Sequence, residues 1–191
     1  MIQKKFKKPY YQNVWEAKFK LPKNVINWKK IYEKKVKNCP DRKIAEFNYK
    51  LLLDKVPNGT FLQKWKKDVS EKCVYCGTSE DTEHLLFACH RVKEIWCKIG
   101  DSIGTVISWK RLILGYQDAS KKCENIERLL SIVLYIVFKN WIMTRNESLD
   151  RNHTDLSKFL KAELKAKADI QHFMKEKTVS YNLLEKVIEN L

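Results

Sequence analysis

The stretch CVYCGTSEDTEHLLFACH, residues 73–90, decides how the chain is organised, because it gathers the side chains that bind soft metal ions. Its ligand-type residues follow the spacing Cys-x2-Cys-x7-His-x4-Cys. Three thiolates and one imidazole form a tetrahedral donor set that Zn2+ prefers, and four protein ligands leave no open position for water. The spacing therefore predicts a structural zinc site with the ligands Cys73, Cys76, His84 and Cys89.

Local features of the stretch support a metal site and leave two alternatives open. Gly77 permits a tight turn that points the first two sulfurs toward one ion. His84 and Cys89 lie five residues apart on a predicted helix, a little over one turn, so both can face that ion. The thiols could instead be ordinary buried cysteines. His90 could compete for the fourth position, although an exposed polar side chain is its simpler interpretation.

Upstream of the cysteines, prolines, capping residues and apolar spacing predict a basic arm followed by helices. The expected elements are an irregular arm over residues 1–24, a helix capped by Asn24 or Asn27 that runs to about Lys37, a helix capped by Asp41, and a short helix over residues 61–67 capped by Thr60.

Downstream, apolar residues recur at helical spacing almost to the last residue. The expected helices run from Thr82 to a stop at Gly100, around residues 108–114, over 125–144 at the centre of the core, over 155–176, and over 180–191. The sequence thus predicts a mainly α fold, a helical domain with a small CCHC zinc knuckle and a basic N-terminal arm. The predicted divisions are 1–67 (arm and helical hairpin), 68–100 (knuckle with the following helix) and 101–191 (helical scaffold).

The charge of the chain is large and unevenly placed. Over 191 residues, 38 Lys+Arg against 23 Asp+Glu give a net charge of +15, and 19 of the basic but only 5 of the acidic residues precede residue 68. Such an excess costs self-repulsion in a compact fold, and a polyanionic partner is the simplest reason for it. Aromatic residues are interleaved with the lysines and could stack on unpaired bases. A solvated basic surface anchored by its aromatics is the alternative.

Nucleic acid is therefore the expected partner, with RNA favoured over DNA, and protein partners in a ribonucleoprotein are possible in addition. The predicted contacts are lysines, one arginine and two aromatic residues. They are Lys4, Lys5, Lys7, Lys8, Lys29, Lys30, Lys34, Lys35, Lys64, Trp65, Lys66, Lys67, Tyr75, Arg91 and Lys93.

Membrane insertion and a disulfide framework are not expected. The longest apolar run, residues 129–138, is about half of what a bilayer span requires, and the N-terminus lacks the apolar stretch of a signal peptide. Six cysteines in a lysine-rich chain without such a signal suggest an intracellular protein, in the nucleus or cytoplasm, with thiols or a metal site. Of those outside the motif, Cys97 is expected to be a core thiol, while Cys39 and Cys123 flank turns.

Residues around the motif also carry a family resemblance. The stretches KIAEFNYKLLLDKVPNGTFLQKW (43–65) and CVYCGTSEDTEHLLFACHRVKEIW (73–96) resemble the zinc-binding region that follows the polymerase domain in LINE-type non-LTR retrotransposon reverse transcriptases. NWKKIY (27–32), LILGYQ (112–117) and YIVFKNW (135–141) extend the resemblance more weakly, over about residues 25–175.

This resemblance implies a C-terminal segment that helps to hold template RNA or target DNA during target-primed reverse transcription. Its zinc ligands would correspond to Cys73, Cys76, His84 and Cys89. A chain of 191 residues starting at Met1 leaves no room for a polymerase domain. The expected possibilities are therefore an excised fragment, a truncated copy or a captured gene product.

Catalysis is not expected. Polymerase chemistry needs carboxylates that hold two metal ions, and the sequence contains no Asp-Asp pair. A nuclease built from Asp41 and Glu163 is disfavoured, because Glu163 lies in a helix-forming run. Two hypotheses follow: a non-catalytic nucleic-acid-binding module, or a structural subunit of a ribonucleoprotein in which zinc only stabilises the fold.

Overall fold

The computed structural model describes residues 10–22, 25–65, 68–116, 120–146, 155–174 and 179–191. Within these ranges helices are joined by turns, and the β structure is an isolated antiparallel bridge between Lys72 and Ser79. The predicted mainly α class is confirmed. Among the described helices, none combines the length with the apolar composition that a bilayer-spanning segment needs.

Helices of very different length follow one another along the chain. They are α1 (Tyr10–Lys18), α2 (Trp28–Tyr32) continued by a π-helical turn (Glu33–Lys37), α3 (Arg42–Leu52), α4 (Gly59–Gln63), a second π-helical turn (His84–Ala88), α5 (His90–Ile103), α6 (Trp109–Leu114), α7 (Lys121–Asn146), α8 (Leu156–Met174) and α9 (Tyr181–Asn190).

Side-chain caps fix the starts of several helices, as the sequence predicts. Asn27 Oδ1 accepts a hydrogen bond from Lys30 N at 3.0 Å, and Asp41 Oδ1 accepts one from Lys43 N at 2.9 Å. Each cap satisfies a backbone donor that has no partner inside its helix. The predicted caps Asn27 and Asp41 are therefore confirmed.

Helix α7 forms the centre of the core, which confirms the prediction for residues 125–144. Leu129, Val133, Leu134 and Ile136 have no exposed surface. Helices α3, α6 and α8 and the second π-helical turn pack around α7. One hydrophobic cluster includes residues from all three predicted divisions, so the described segments share a single core.

The N-terminal arm is more ordered than its prolines and lysines suggest. Residues 10–18 form α1, and Trp15 in α1 is completely buried, with its indole nitrogen donating to the Leu52 carbonyl at 2.8 Å. Burial of an indole ring removes a large apolar surface from water. The free energy gained in this way holds a basic segment against the core. The expectation of an irregular arm is wrong over residues 10–18, while residues 1–9 lie outside the described ranges.

Two predicted helix boundaries are also corrected. Asn58, not Thr60, caps α4, because the extended backbone of Asn58 lets Oδ1 accept from Phe61 N at 2.9 Å. Helix α5 does not stop at Gly100 but at Gly104, whose φ of +68° suits glycine. Gly100 lies inside the helix, where an added Cβ would come within 2.8 Å of the Thr105 carbonyl oxygen.

Candidate metal centre

The first two cysteines lie in a tight turn that the backbone closes by itself. Cys73 N donates to Thr78 O at 2.8 Å, and Gly77 N donates to Cys73 O at 2.9 Å. Gly77 has a φ of +72°, a conformation that glycine adopts without strain. These bonds bring the side chains of Cys73 and Cys76 to one side of the turn.

The histidine and the last cysteine lie at the two ends of the second π-helical turn. Cys89 N donates to His84 O at 2.9 Å, an i-to-i+5 bond that is wider than an α-helical turn. At Cys89 the backbone leaves the helical region, with a ψ of 134°, before α5 begins. The continuous helix expected from Thr82 is therefore interrupted, and the wider turn places the two ligands on the same side.

The four predicted ligands converge in space. One donor atom from each of Cys73, Cys76, His84 and Cys89 lies within 4.8 Å of the others. Cys73 Sγ and Cys89 Sγ are 4.0 Å apart, and Cys76 Sγ is 3.2 Å from His84 Nε2. Zn–S bonds of about 2.3 Å and Zn–N bonds of about 2.0 Å place tetrahedral ligand atoms roughly 3.5 to 3.8 Å apart. The donor set and its spacing fit zinc.

Neighbouring thiols in the cluster influence each other's ionisation. The hydrogen bond with Cys89 and burial raise the pKa of Cys73 to about 12, and the same hydrogen bond lowers the pKa of Cys89. One thiolate is thus favoured at the expense of its neighbour. A bound divalent ion supplies the positive charge that lets neighbouring thiols ionise together.

Thr78 lies beside the ligands and contacts two of them. Its Oγ1 is 3.0 Å from Cys76 Sγ and 3.2 Å from His84 Nδ1. The same oxygen is 3.3 Å from His84 Nε2, so Thr78 contacts the edge of the ring, and partners of this kind help to orient a metal-binding histidine. The ligand spacing in the sequence gives no signal for Thr78, although this residue lies two positions after Cys76.

A second set of contacts joins the zinc turn to the central helix. The Arg91 guanidinium lies 4.0 Å from the centre of the Tyr75 ring, and Arg91 Nη2 donates to Asn140 Oδ1 in α7 at 2.7 Å. Tyr75 and Arg91 were predicted nucleic-acid contacts. Both are half-buried and the arginine covers one face of the tyrosine, so the structure gives them a role in the fold.

The most connected carboxylate near the site was not predicted. Glu80 is buried, and its Oε1 accepts from Gly59 N at 3.0 Å, from Trp141 Nε1 at 2.9 Å and from Arg145 Nη1 at 2.7 Å. Burial raises the pKa of Glu80, an effect that the nearby Arg145 cation opposes. Glu80 therefore ties the zinc turn to both α4 and α7.

The predicted basic contacts other than Arg91 and Lys35 separate into three groups. Lys29, Lys30, Lys64 and Lys93 are exposed, as is Trp65 with 77% of its surface accessible. Lys34 is half-buried, with Nζ 3.6 Å from Glu127 Oε1. Outside the described ranges lie Lys4, Lys5, Lys7, Lys8, Lys66 and Lys67.

Lys35 corrects the prediction that it contacts nucleic acid. It is only 6% exposed, and its ammonium group donates to the Leu112 carbonyl at 2.9 Å. Burial lowers the pKa of Lys35. A buried ammonium group engaged with α6 cannot reach an external phosphate, so Lys35 belongs to the core.

The remaining candidates take separate structural positions. Asp41 caps α3 and pairs with Lys167 at 3.0 Å, whereas Glu163 pairs with Lys139 at 2.7 Å. Each carboxylate considered for nuclease chemistry thus has its own lysine partner. Cys97, predicted as a core thiol, is exposed because it lies on the outer side of α5.

Comparison with known proteins agrees with the geometry of the site. The family model described as zinc-binding in reverse transcriptase matches residues 8–96. The matched segment contains all four converging side chains, so the chain carries a zinc-binding segment similar to that family, and zinc is the ion that this site takes. No curated protein and no solved structure matches the chain.

Proposed function

We propose that the chain is a non-catalytic nucleic-acid-binding module, in which zinc fixes the fold of a lysine-rich surface and RNA is preferred over DNA. The similarity of residues 8–96 to a zinc-binding segment of reverse transcriptases supports this proposal. So does the position of the exposed lysines. Lys29, Lys30 and Lys64 lie in the part of the chain that carries nearly all of the net charge.

Contacts between the basic segment and the zinc turn support a common surface. Thr60 N in α4 donates to Glu80 O at 3.1 Å, and Lys18 in α1 pairs with Glu83 at 2.9 Å, next to the ligand His84. Four protein ligands fill the tetrahedral set, so the zinc would hold the fold rather than act on a substrate. The module would hold template RNA or target DNA for a polymerase of the LINE type.

The salt dependence of RNA binding tests the proposal. Four exposed lysines that each neutralise one phosphate give a slope of about −3 for log K against log [salt] on a single strand. Fluorescence anisotropy with a labelled RNA at several salt concentrations measures this slope. Affinity that barely changes between low and moderate salt would contradict the proposal, and crosslinking in cells followed by sequencing would distinguish RNA from DNA.

Lysine substitutions give a sharper prediction, because the structure separates exposed lysines from a buried one. The double variant Lys29→Met and Lys30→Met is expected to reduce the steepness of the salt slope by about 1.4 on single-stranded RNA. Lys35→Met is the matched control and should leave the slope unchanged, since Lys35 is buried. A loss of about 0.7 from Lys35→Met, half of that from the double variant, would show that total charge, rather than the exposed surface, determines binding.

The alternative, a structural subunit that docks on another protein through its C-terminal helices, has less support from the packing. The apolar side chains Leu156, Leu160, Leu164, Leu184 and Val187 of α8 and α9 are buried. Helix α9 packs on α5 and α8, and α8 packs on α7. These side chains are already covered within the chain.

A further inference from the structure

A pair of exposed tyrosines lies on the basic helical hairpin. Tyr32 at the end of α2 is 40% exposed and Tyr49 in α3 is 45% exposed. Their ring centroids are 6.3 Å apart and the ring planes meet at 76°. Tyr32 and Tyr49, which we call the tyrosine pair, therefore form one contiguous aromatic surface in water.

Other rings of the same hairpin are used differently. Phe47, two residues before Tyr49, is 3% exposed and stacks on Phe138 of α7 with centroids 5.2 Å apart. Trp28, one turn before Tyr32, is 7% exposed and donates to Glu16. These rings are buried in the core, whereas both rings of the tyrosine pair remain accessible to solvent.

Exposed basic residues lie in the same helices as the tyrosine pair. Lys29 is exposed and lies three residues before Tyr32, a spacing that places both on one face of a helix. Lys50 follows Tyr49 and pairs with Glu46 at 2.8 Å, which balances an acidic side chain on this surface. Exposed basic residues of α2, the π-helical turn after it and α3 also include Lys30, Lys37, Arg42 and Lys43.

We infer that the tyrosine pair is a stacking platform for unpaired bases, so that the module binds single-stranded nucleic acid in preference to duplex. This inference rests on the proposed function and adds the class of strand that the surface takes. Aromatic faces accept bases only when the bases are not already paired and stacked, whereas lysines contact the phosphates of either form. Aromatic rings within a cationic surface match a single strand better than a duplex.

The test uses the full chain loaded with zinc and two probes, a 20-nucleotide oligouridylate and a 20-base-pair RNA duplex, at one salt concentration. The wild type is expected to bind the oligouridylate more tightly. The double variant Tyr32→Ala and Tyr49→Ala should weaken oligouridylate binding by about tenfold and leave duplex binding unchanged. The double variant Tyr32→Phe and Tyr49→Phe keeps the ring faces and should bind like the wild type.

The possible outcomes separate the inference from the proposed function. If the wild type binds RNA with a steep salt slope and the alanine variant binds each probe as tightly as the wild type does, the platform is overturned and the proposed function stands. Phenylalanine variants as weak as the alanine ones would overturn stacking in favour of the hydroxyl groups. If no probe binds in a salt-dependent way, both proposals fail. Displacement of RNA by polyglutamate at equal charge concentration would indicate an acidic protein partner instead.

Discussion

Replacing Cys76 with serine is expected to remove close to one equivalent of zinc from the purified protein. Structural zinc sites bind their ion with an apparent free energy of about 10 to 16 kcal/mol, and this binding energy is part of the folding energy. A serine hydroxyl is a poor substitute for a thiolate beside the other two sulfurs. Elemental analysis of the purified variant and of the wild type measures the difference.

Cys97→Ser is the matched control for this experiment, because Cys97 is an exposed thiol outside the ligand cluster. It should retain the zinc content of the wild type. Helical circular dichroism of Cys76→Ser should fall less than its zinc content, since most of the buried apolar side chains of the core lie outside the zinc turn, many of them in α7. A Cys76→Ser variant with a full equivalent of zinc would show that the cluster does not bind the ion as described.

Removing the Glu80 carboxylate should cost about 3 to 5 kcal/mol of the free energy of unfolding. The change Glu80→Ala leaves three donors without their acceptor, on Gly59, Trp141 and Arg145. The side chain of Arg145 is only 14% exposed, so its charge would remain largely buried and unpaired. Urea unfolding with an unchanged slope against denaturant measures the loss.

Two further variants determine how the Glu80 result is interpreted. Glu163→Ala removes a pair with Lys139 in which both side chains are partly exposed, and it should cost less than about 1 kcal/mol. Glu80→Gln keeps a carbonyl oxygen as an acceptor and should lose less stability than Glu80→Ala. Equal small losses in all three variants would contradict the role of Glu80 as a buried junction.

The zinc ligands were predictable because the information is local. All four lie within seventeen residues, and metal chemistry restricts their type and spacing. The caps Asn27 and Asp41 were predictable for a similar reason, since a capping side chain bonds to a backbone nitrogen two or three residues further on. Local rules failed at Thr60, where the extended backbone of a neighbouring asparagine made the better cap.

Features that depend on distant partners could not be predicted. Lys35 lies in a lysine-rich run, and only the Leu112 carbonyl, 77 residues away, shows that it is a buried donor. Glu80 looks like one acidic residue among several, yet two of its partners come from α7, more than 60 residues further on. Trp15 is surrounded by polar and basic residues, and its burial depends on α3 and α6.

The contacts of Glu80 also indicate how much of the chain must be transferred together if the zinc turn is to keep its packing partners. The segment similar to the reverse transcriptase family ends at Trp96, halfway along α5, whereas Trp141 and Arg145 lie far beyond it. Phe47 and Trp15 inside the segment likewise rely on Phe138 and Trp109 outside it. A recombination event that moved only residues 8–96 would carry the zinc ligands. It would leave behind helix α7, on which the second π-helical turn packs. The smallest exchangeable piece of this protein is therefore larger than its recognisable motif.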